Sequence, residues 1–224
     1  MNEPPVLEIR DLHVTFTAHG REIPAVRGVD LTIERGQTLA LLGESGSGKS
    51  VTAKAVMGLL DQPGARVRCE SARLGGRDLL AMSEDQLRSL RGSEMTLVFQ
   101  DALSALNPVL SIGDQIGELY RVHRGLSRRQ ARARSIEMLD LVGIPAAARR
   151  VDDYPHQFSG GMRQRILVAM AVALEPDLII ADEPTTALDV TVQAQILELI
   201  DRLRRAGLLR EVIRLVQEAR KSTG

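Results

Sequence analysis

Hydrophobic positions along the chain form two patterns, which predict alternating strands and helices. Short, nearly continuous apolar runs are typical of strands buried on both faces of a parallel sheet, and an alternating run is typical of a strand with one exposed face. Residues 6–16 alternate in this way and are followed by a predicted hairpin turn at 18–24. Further strands are predicted at 29–33, 38–42, 95–99 and 178–181.

Apolar residues at helical spacing lie between these strands. Ser83 precedes Gln86 by three residues, which indicates a capping box at the start of a helix. Gly143 ends a long helical stretch that begins at 111. Further helices are predicted at 48–60, 164–173 and 192–205. The order of strands and helices predicts an α/β fold with a largely parallel sheet, into which the helical stretch at 111–157 is inserted.

Composition sets limits on this fold. A hydrophobic fraction of 44% in 224 residues is enough for one domain with a substantial core. The 29 basic and 29 acidic residues give no net charge, and Trp is absent, so a nucleic-acid-binding surface is not expected. The single Cys69 excludes an intramolecular disulfide and a multi-cysteine metal site. No apolar run reaches the roughly 18 residues of a membrane-spanning helix, and no signal-peptide core is visible, so we expect a cytoplasmic protein.

Residues 43–50 match the phosphate-loop pattern G-x-x-x-x-G-K-S, between a predicted strand and a predicted helix. The glycines let the backbone wrap around a phosphate, and the loop N–H groups and the helix N-terminus attract its charge. Lys49 is predicted to contact the β- and γ-phosphates, and Ser50 to place its hydroxyl on Mg²⁺. The predicted nucleotide-binding residues of this segment are Gly43, Glu44, Ser45, Gly46, Ser47, Gly48, Lys49, Ser50 and Val51.

Two acids follow an apolar strand, at the sheet edge where α/β proteins bind their ligands. Beside a phosphate loop, Asp182 is predicted to hold Mg²⁺ through water. Glu183 points elsewhere from the same strand end and is predicted to polarise an attacking water. The alternative interpretation is that the two acids only cap the end of a strand.

A second anion site is indicated by Ser159, Gly160 and Gly161, which directly precede a basic, helix-forming run. A turn of this kind presents backbone N–H groups at a helix N-terminus, and that arrangement favours anions. Many turns use Ser and Gly, so the significance of this turn depends on the phosphate loop before it and the acids after it.

The phosphate loop, the Ser-Gly-Gly turn and the two acids, in this order, resemble the ATP-binding cassette (ABC) family of ATPases. The resemblance covers residues 6 to about 205. It implies a P-loop NTPase-like sheet flanked by helices, an N-terminal antiparallel β subdomain and a helical subdomain inserted at about 104–157. It also implies ATP and Mg²⁺ as cofactors, and a second ATPase subunit whose Ser-Gly-Gly turn closes on the ATP of the first.

Further residues acquire roles through the same resemblance. Phe16 resembles the aromatic that stacks on adenine, with an ordinary strand aromatic as the alternative. Gln100 resembles the glutamine that contacts Mg²⁺ and senses the membrane partner, and it joins Glu183 as a predicted catalytic residue. Asp189 resembles the loop that follows the dimer interface.

The segments around these motifs resemble one branch of the family, the importers of dipeptides, oligopeptides and nickel. These segments are 101–108, 154–157, 162–165 and 189–194. The resemblance implies an ATPase subunit on the inner face of the cell membrane, which drives uptake of peptides or nickel through a separate permease. An extracytoplasmic solute-binding protein would take part indirectly, and nucleic acid would not be a partner.

The chain departs from the family pattern in two places. Phe158 and Met162 stand where the commonest form of the turn has Leu and Gln. Family members continue after residue 205 with an apolar strand and a histidine that positions the water of Glu183. Here the apolar residues between 208 and 216 predict an amphipathic helix, and no histidine follows Glu183.

These departures divide the expected chain into a nucleotide-binding domain at 1–207 and an atypical amphipathic tail at 208–224. The central sheet is expected to lack a strand and to expose a raw edge. Besides an ATP-hydrolysing importer subunit, a second hypothesis is a nucleotide-binding module with little turnover, either a regulatory partner or a truncated product. A soluble cassette protein of DNA repair or translation is a third, which the neutral charge and the importer-like segments disfavour.

Overall fold

The fold consists of an antiparallel sheet, a parallel sheet and the helices packed around them. A computed structural model describes residues 4–18, 20–60, 62–98, 105–182, 190–205, 207 and 211–217. The strands are β1 (Leu7–Ala18), β2 (Arg21–Ile33), β3 (Thr38–Gly43), β4 (Ala65–Arg68), β5 (Ser71–Leu74), β6 (Arg77–Asp78), β7 (Met95–Val98), β8 (Leu178–Asp182) and β9 (Glu211–Gln217). The helices are α1 (Lys49–Val56), α2 (Glu84–Leu90), α3 (Ile112–Arg124), α4 (Arg128–Leu141), α5 (Ala147–Arg150), α6 (Gly160–Val172) and α7 (Val190–Arg205).

The antiparallel sheet has the order β2-β1-β5-β6, and β4 also pairs with β1. β1 and β2 form a long hairpin whose register runs from Leu7 opposite Ile33 to Ala18 opposite Arg21. β2 is therefore longer than the strand predicted at 29–33. The turn between β1 and β2 is shorter than the turn predicted at 18–24. Pro24 lies within β2, opposite Thr15, which is tolerated because β2 is an edge strand.

The parallel sheet has the order β3-β9-β8-β7. β9 pairs in parallel with β3, from Val212 beside Thr38, and with β8, from Glu211 beside Leu178. The amphipathic helix predicted from the apolar residues between 208 and 216 is therefore wrong for the described residues from 211 onward, which form β9, and so is the prediction that the strand is missing. A division of the chain after 207 would separate β9 from the sheet that it joins.

The misleading signal in β9 has a physical cause. Val212, Ile213 and Leu215 are all buried, since β9 lies between two strands and is covered on both faces. A strand in that position needs apolar residues on consecutive positions, and such pairs imitate helical spacing. In the described part of the chain, the edge strands of this sheet are β7 and β3. β3 pairs with β9 alone, and its Leu42 is 62% exposed.

The parallel sheet separates two hydrophobic cores. Leu178 and Ile180 of β8 belong to the core that the sheet forms with the antiparallel sheet and α1. Ile179 and Ala181 of the same strand belong to the core on the other face, with α6, α7 and the inserted helices. Burial on both faces explains the continuous apolar run that predicted this strand.

Helix ends follow the capping signals of the sequence. The predicted capping box of Ser83 and Gln86 is present at the start of α2, and Gly143, with φ 74°, follows the end of α4. α1 ends at Val56, earlier than predicted, and Gly58 adopts φ 63° just beyond it. Arg91 donates hydrogen bonds to the carbonyls of Met57 and Gly58, which compensates for the helix bonds that end there.

The inserted helical segment contains α3, α4 and α5, which lie between β7 and α6 in the chain. None of the helices in the described ranges is long and apolar enough to cross a membrane.

Candidate nucleotide-binding site

The phosphate loop connects the end of β3 to the start of α1, as the sequence predicts. The ammonium group of Lys49 folds back over the loop and donates hydrogen bonds to the carbonyls of Gly43, at 2.8 Å, and Glu44, at 3.0 Å. Thr52 closes the first turn of α1, since its amide and its hydroxyl both donate to the carbonyl of Gly48. The loop and the N-terminus of the helix are thus joined by hydrogen bonds, and the ammonium group of Lys49 lies against the loop.

Gly48 is required by both its conformation and its surroundings. It has φ 92°, a value that L side chains rarely adopt, and a Cβ atom there would lie 2.6 Å from the carbonyl oxygen of Ala25 in β2. Gly46 also has a positive φ of 81°, but a Cβ atom at that position meets nothing within 4 Å. The loop is therefore packed tightly against the antiparallel sheet at Gly48 and open at Gly46.

A cleft of about 500 Å³ borders the loop, between β2, β3 and the start of α1. Val26 and Leu41 contribute to its apolar wall, and Ser47 and Lys49 to its polar wall. Its volume lies in the range of small-molecule sites, so there is room for a ligand beside the loop.

Ser50 and Asp182 come together from distant parts of the chain. The hydroxyl of Ser50 donates a 2.9 Å hydrogen bond to Oδ1 of Asp182, which ends β8 and is 6% exposed. A hydroxyl and a carboxylate oxygen are hard ligands that suit Mg²⁺, an ion that normally keeps several waters and binds phosphate as well. The described residues contain no cluster of three or more His, Cys, Asp or Glu that could hold a metal alone. The pair therefore fits a magnesium ion shared with a phosphate.

The Ser-Gly-Gly turn forms the N-terminus of α6, which begins four residues before the predicted helix start at 164. Ser159 is the N-cap, and its hydroxyl accepts a 3.4 Å hydrogen bond from the amide of Met162. The carbonyl of Ser159 accepts from the amide of Arg163. Gly160 and Gly161 form the first turn of α6, so the helix N-terminus predicted from the sequence is present, and its binding of an anion stays a prediction.

Some of the remaining predicted site residues are described by the structure, and others are not. Val51 and Phe16 are partly buried against the core of the antiparallel sheet, and Phe16 pairs with Ile23 and Ala65 in neighbouring strands. Contact of Phe16 with adenine stays a prediction. Gln100, Glu183 and Asp189 lie outside the described residues, and their roles also stay predictions.

Arg150 is a residue beside the site that the sequence analysis missed. Its guanidinium carbon lies 4.1 Å from the ring centroid of Phe158, and it donates to the carbonyl of Gln157 at 2.9 Å and to the sulfur of Met162 at 3.4 Å. It occurs in an Ala- and Arg-rich stretch without a motif, so only the unusual Phe158 and Met162 could have drawn attention to it.

Comparison with known proteins identifies the family. Residues 26–186 match the family model described as ABC transporter, and this match covers most of the chain. The chain therefore belongs to the ABC transporter family, which confirms the resemblance found in the sequence.

Two curated relatives are peptide transport proteins of Bacillus subtilis (strain 168). The dipeptide transport ATP-binding protein DppD is 50% identical over 200 residues, which are 89% of this chain and 60% of DppD. The oligopeptide transport ATP-binding protein OppD is 48% identical over 200 residues, which are 89% of this chain and 56% of OppD. The chain thus spans less than two thirds of the length of these relatives.

A solved structure of the ATP-binding cassette MJ0796, a dimer in a post-hydrolysis state with ADP and Pi bound, resembles the fold. The TM-score is 0.80 at 27% identity, and the match covers 95% of this chain and 88% of that cassette. This similarity confirms the α/β cassette fold with its antiparallel and parallel sheets.

Proposed function

We propose that this chain is the ATP-binding and ATP-hydrolysing subunit of an ABC importer that energises peptide uptake. The observation that carries the proposal is the hydrogen bond between Ser50 of the phosphate loop and Asp182 at the end of β8. It brings a phosphate-binding loop and a magnesium-type ligand together in a chain that is about half identical to two peptide transport ATP-binding proteins.

In this proposal the phosphate loop binds the phosphates of ATP through its N–H groups and Lys49. Ser50 and Asp182 hold Mg²⁺, which supplies charge neutralisation at the phosphates when it is bound. Glu183 accepts a hydrogen bond from the attacking water and orients it toward the γ-phosphate. Phe16 stacks on the adenine, and Gln100 contacts the metal site and reports its state to the membrane partner.

The composite site needs a second ATPase subunit, identical or paralogous. Ser159, Gly160 and Gly161 present a helix N-terminus, and we propose that they bind the γ-phosphate of ATP held by that subunit. The dimeric state of the cassette MJ0796 supports this arrangement. The pair would work at the inner face of the membrane with permease subunits, and with an extracytoplasmic solute-binding protein that delivers the peptide. Nickel is the other solute of the same branch.

A second candidate is a nucleotide-binding module with little turnover, which acts as a regulatory partner. This candidate is raised by the composition of residues 184–224, which contain no histidine. β9 supplies the strand that the family places before that histidine. In a cassette without this histidine, hydrolysis would be affected more than ATP binding, because the phosphate loop binds the phosphates independently of it.

Binding of a fluorescent ATP analogue to the purified chain tests the ATP site. The variant Lys49→Ala is expected to bind roughly tenfold to a hundredfold more weakly, since it loses a charge-assisted contact with the phosphates. Lys54→Ala, one turn further along α1, is the matched control and should bind like the wild type. Equal affinity for all three proteins would exclude the proposed phosphate site.

Phosphate release separates the two candidate functions. The assay compares the wild type with Glu183→Gln, alone and with the permease in vesicles. Release that depends on Glu183 supports the transport ATPase. ATP binding without release in either condition supports the module with little turnover.

A further inference from the structure

We propose that Arg150 is a positioning residue that fixes the orientation of the Ser159–Gly160–Gly161 turn through contacts on both sides of it. The inference rests on the proposed function only in assigning to this turn a share of the partner's ATP site. The positioning itself is a property of the free chain and can be measured there.

The contacts of Arg150 bracket the turn. On the N-terminal side it donates to the carbonyl of Gln157 and covers the ring of the buried Phe158, and on the C-terminal side it donates to the sulfur of Met162. A guanidinium over an aromatic face gains cation–π energy when the pair is shielded from water. One planar group with several donors thus sets the positions of the residues just before and just after the three turn residues.

A second arginine anchors the segment ahead of the turn. Nε of Arg163 donates to the carbonyl of Pro155 at 2.7 Å. The carbonyl of Pro155 also accepts from the amide of Phe158 within the 3₁₀ turn Pro155–Gln157, and the carbonyl of Gln157, at the end of this turn, accepts from Arg150. Arg163 comes from α6 itself, whereas Arg150 comes from α5, so Arg150 ties the turn to the inserted helical segment.

The charge of Arg150 is already balanced. Nε donates to the carboxylate of Asp153 at 3.1 Å, and both side chains are partly buried. A neutralised guanidinium adds little attraction for a phosphate at the turn. Arg150 therefore acts through geometry, and not as an additional anion ligand.

Besides Asp153, Arg150 contacts the side chains of both residues that depart from the commonest form of the turn. Phe158 offers a ring face and Met162 offers a soft sulfur acceptor. A leucine at the first position offers no ring face to the cation. Arg150, Phe158 and Met162 are therefore a matched set, and the turn in this chain depends on the arginine.

The backbone next to Arg150 is fixed by a close contact with α3. Val151, the next residue, accepts a 2.7 Å hydrogen bond from the amide of Gly113 at the start of α3, and a Cβ atom on Gly113 would lie 2.6 Å from that carbonyl oxygen. This close approach leaves little room for α3 to move relative to the end of α5. A displacement of α3 would thus be passed through Arg150 to the Ser-Gly-Gly turn.

Hydrogen exchange and methyl NMR on the free chain test the positioning directly. In Arg150→Ala and Arg150→Lys, the amide of Met162 should exchange at least tenfold faster than in the wild type, and the methyl resonance of Met162 should shift. The lysine variant keeps the charge but lacks the planar fork, so it should not restore either signal. Arg132→Ala removes an exposed ion pair with Asp152 nearby and is the matched control, expected to leave both signals unchanged.

If Arg150 only stabilised the fold, its variants would have a lower melting temperature but would show no local change at Met162. The inference is overturned if Met162 exchanges and resonates as in the wild type in both Arg150 variants. It is also overturned if Arg150→Lys exchanges as slowly as the wild type, because charge alone would then suffice.

ATP-dependent dimerisation, measured by sedimentation in a Glu183→Gln background, tests the functional consequence. The Arg150 variants should bind the ATP analogue within twofold of the wild-type affinity and dimerise at least tenfold more weakly. Absence of ATP binding in the wild type would instead refute the proposed function, while the exchange result on the free chain would still decide the positioning. Dimerisation equal to that of the wild type would refute the link between Arg150 and the partner's site.

Discussion

The hydroxyl of Ser50 donates a hydrogen bond of 2.9 Å to the carboxylate of Asp182, which lies 132 positions later in the chain. The bond joins the first turn of α1 to the end of β8, and it places two hard oxygen ligands beside the phosphate loop. Neither residue alone would identify a metal site, and their contact makes the magnesium assignment specific enough to test.

Ser50→Ala should weaken ATP binding roughly tenfold in the presence of Mg²⁺, because the ion loses one protein ligand, at a cost of about 1.4 kcal/mol. With EDTA in place of Mg²⁺, Ser50→Ala and the wild type should bind ATP with equal affinity. Ser89→Ala, an exposed serine of α2, is the control. An equal loss with and without the ion would mean that the serine supports the loop and does not serve the metal.

Gly48→Ala should destabilise the fold more than Gly46→Ala. Both positions carry a positive φ, and the strain of a side chain there costs about 1–3 kcal/mol. At Gly48 the methyl group also meets the carbonyl oxygen of Ala25, which adds about 1–3 kcal/mol of overpacking. Urea unfolding of the two variants measures the difference, and equal free energies of unfolding would contradict the tight contact between the loop and β2.

Ile213→Ala should lower the free energy of unfolding by about 2–5 kcal/mol, as expected for a buried side chain in the middle of a sheet. Ile213 is 2% exposed in β9, whereas Leu80 is 55% exposed, so Leu80→Ala should change stability by no more than about 0.5 kcal/mol. If residues 211–217 formed a peripheral helix, the two variants would show similar small losses in the same urea titration.

Tyr120 should make the stability of the fold sensitive to alkaline pH. Burial raises the pKa of its phenol from 10 to about 12. Below pH 10 the phenol is neutral in both the folded and the unfolded chain, and between pH 10 and 12 it ionises first in the unfolded chain. Stability should therefore fall by about 2–3 kcal/mol across this interval.

Tyr120→Phe is the control, because it keeps the buried ring and removes the titrating group. The difference in unfolding free energy between wild type and variant should be constant below pH 10 and change between pH 10 and 12. A constant difference over the whole range would show that the phenol ionises equally in both states.

The parts of the fold that the sequence predicts well are those with a local cause. Gly48 and Lys49 belong to a loop whose pattern matches its chemistry, and Ser83 with Gln86 forms the expected capping box because the bonds span three residues. The strand at 178–182 was recognisable from its apolar run, since each face meets a separate core.

The failures have non-local causes. β9 was mistaken for a helix because its environment, between β3 and β8, is set by residues far away in the sequence. Arg150 was missed because its role depends on how α5 meets the turn at 158–162. The contact between Ser50 and Asp182 was anticipated only through the chemistry of magnesium, and its geometry required the assembled sheet.

The central position of β9 has a consequence for the order in which the protein can acquire its shape during synthesis. β3 carries the phosphate loop and β8 carries Asp182, and β9 lies between them in the sheet. Both strands emerge from the ribosome before the strand that lies between them in the sheet. A nascent chain that has emerged only to β8 holds the two halves of the ATP site without their spacer, and completion of β9 is the step that sets their distance.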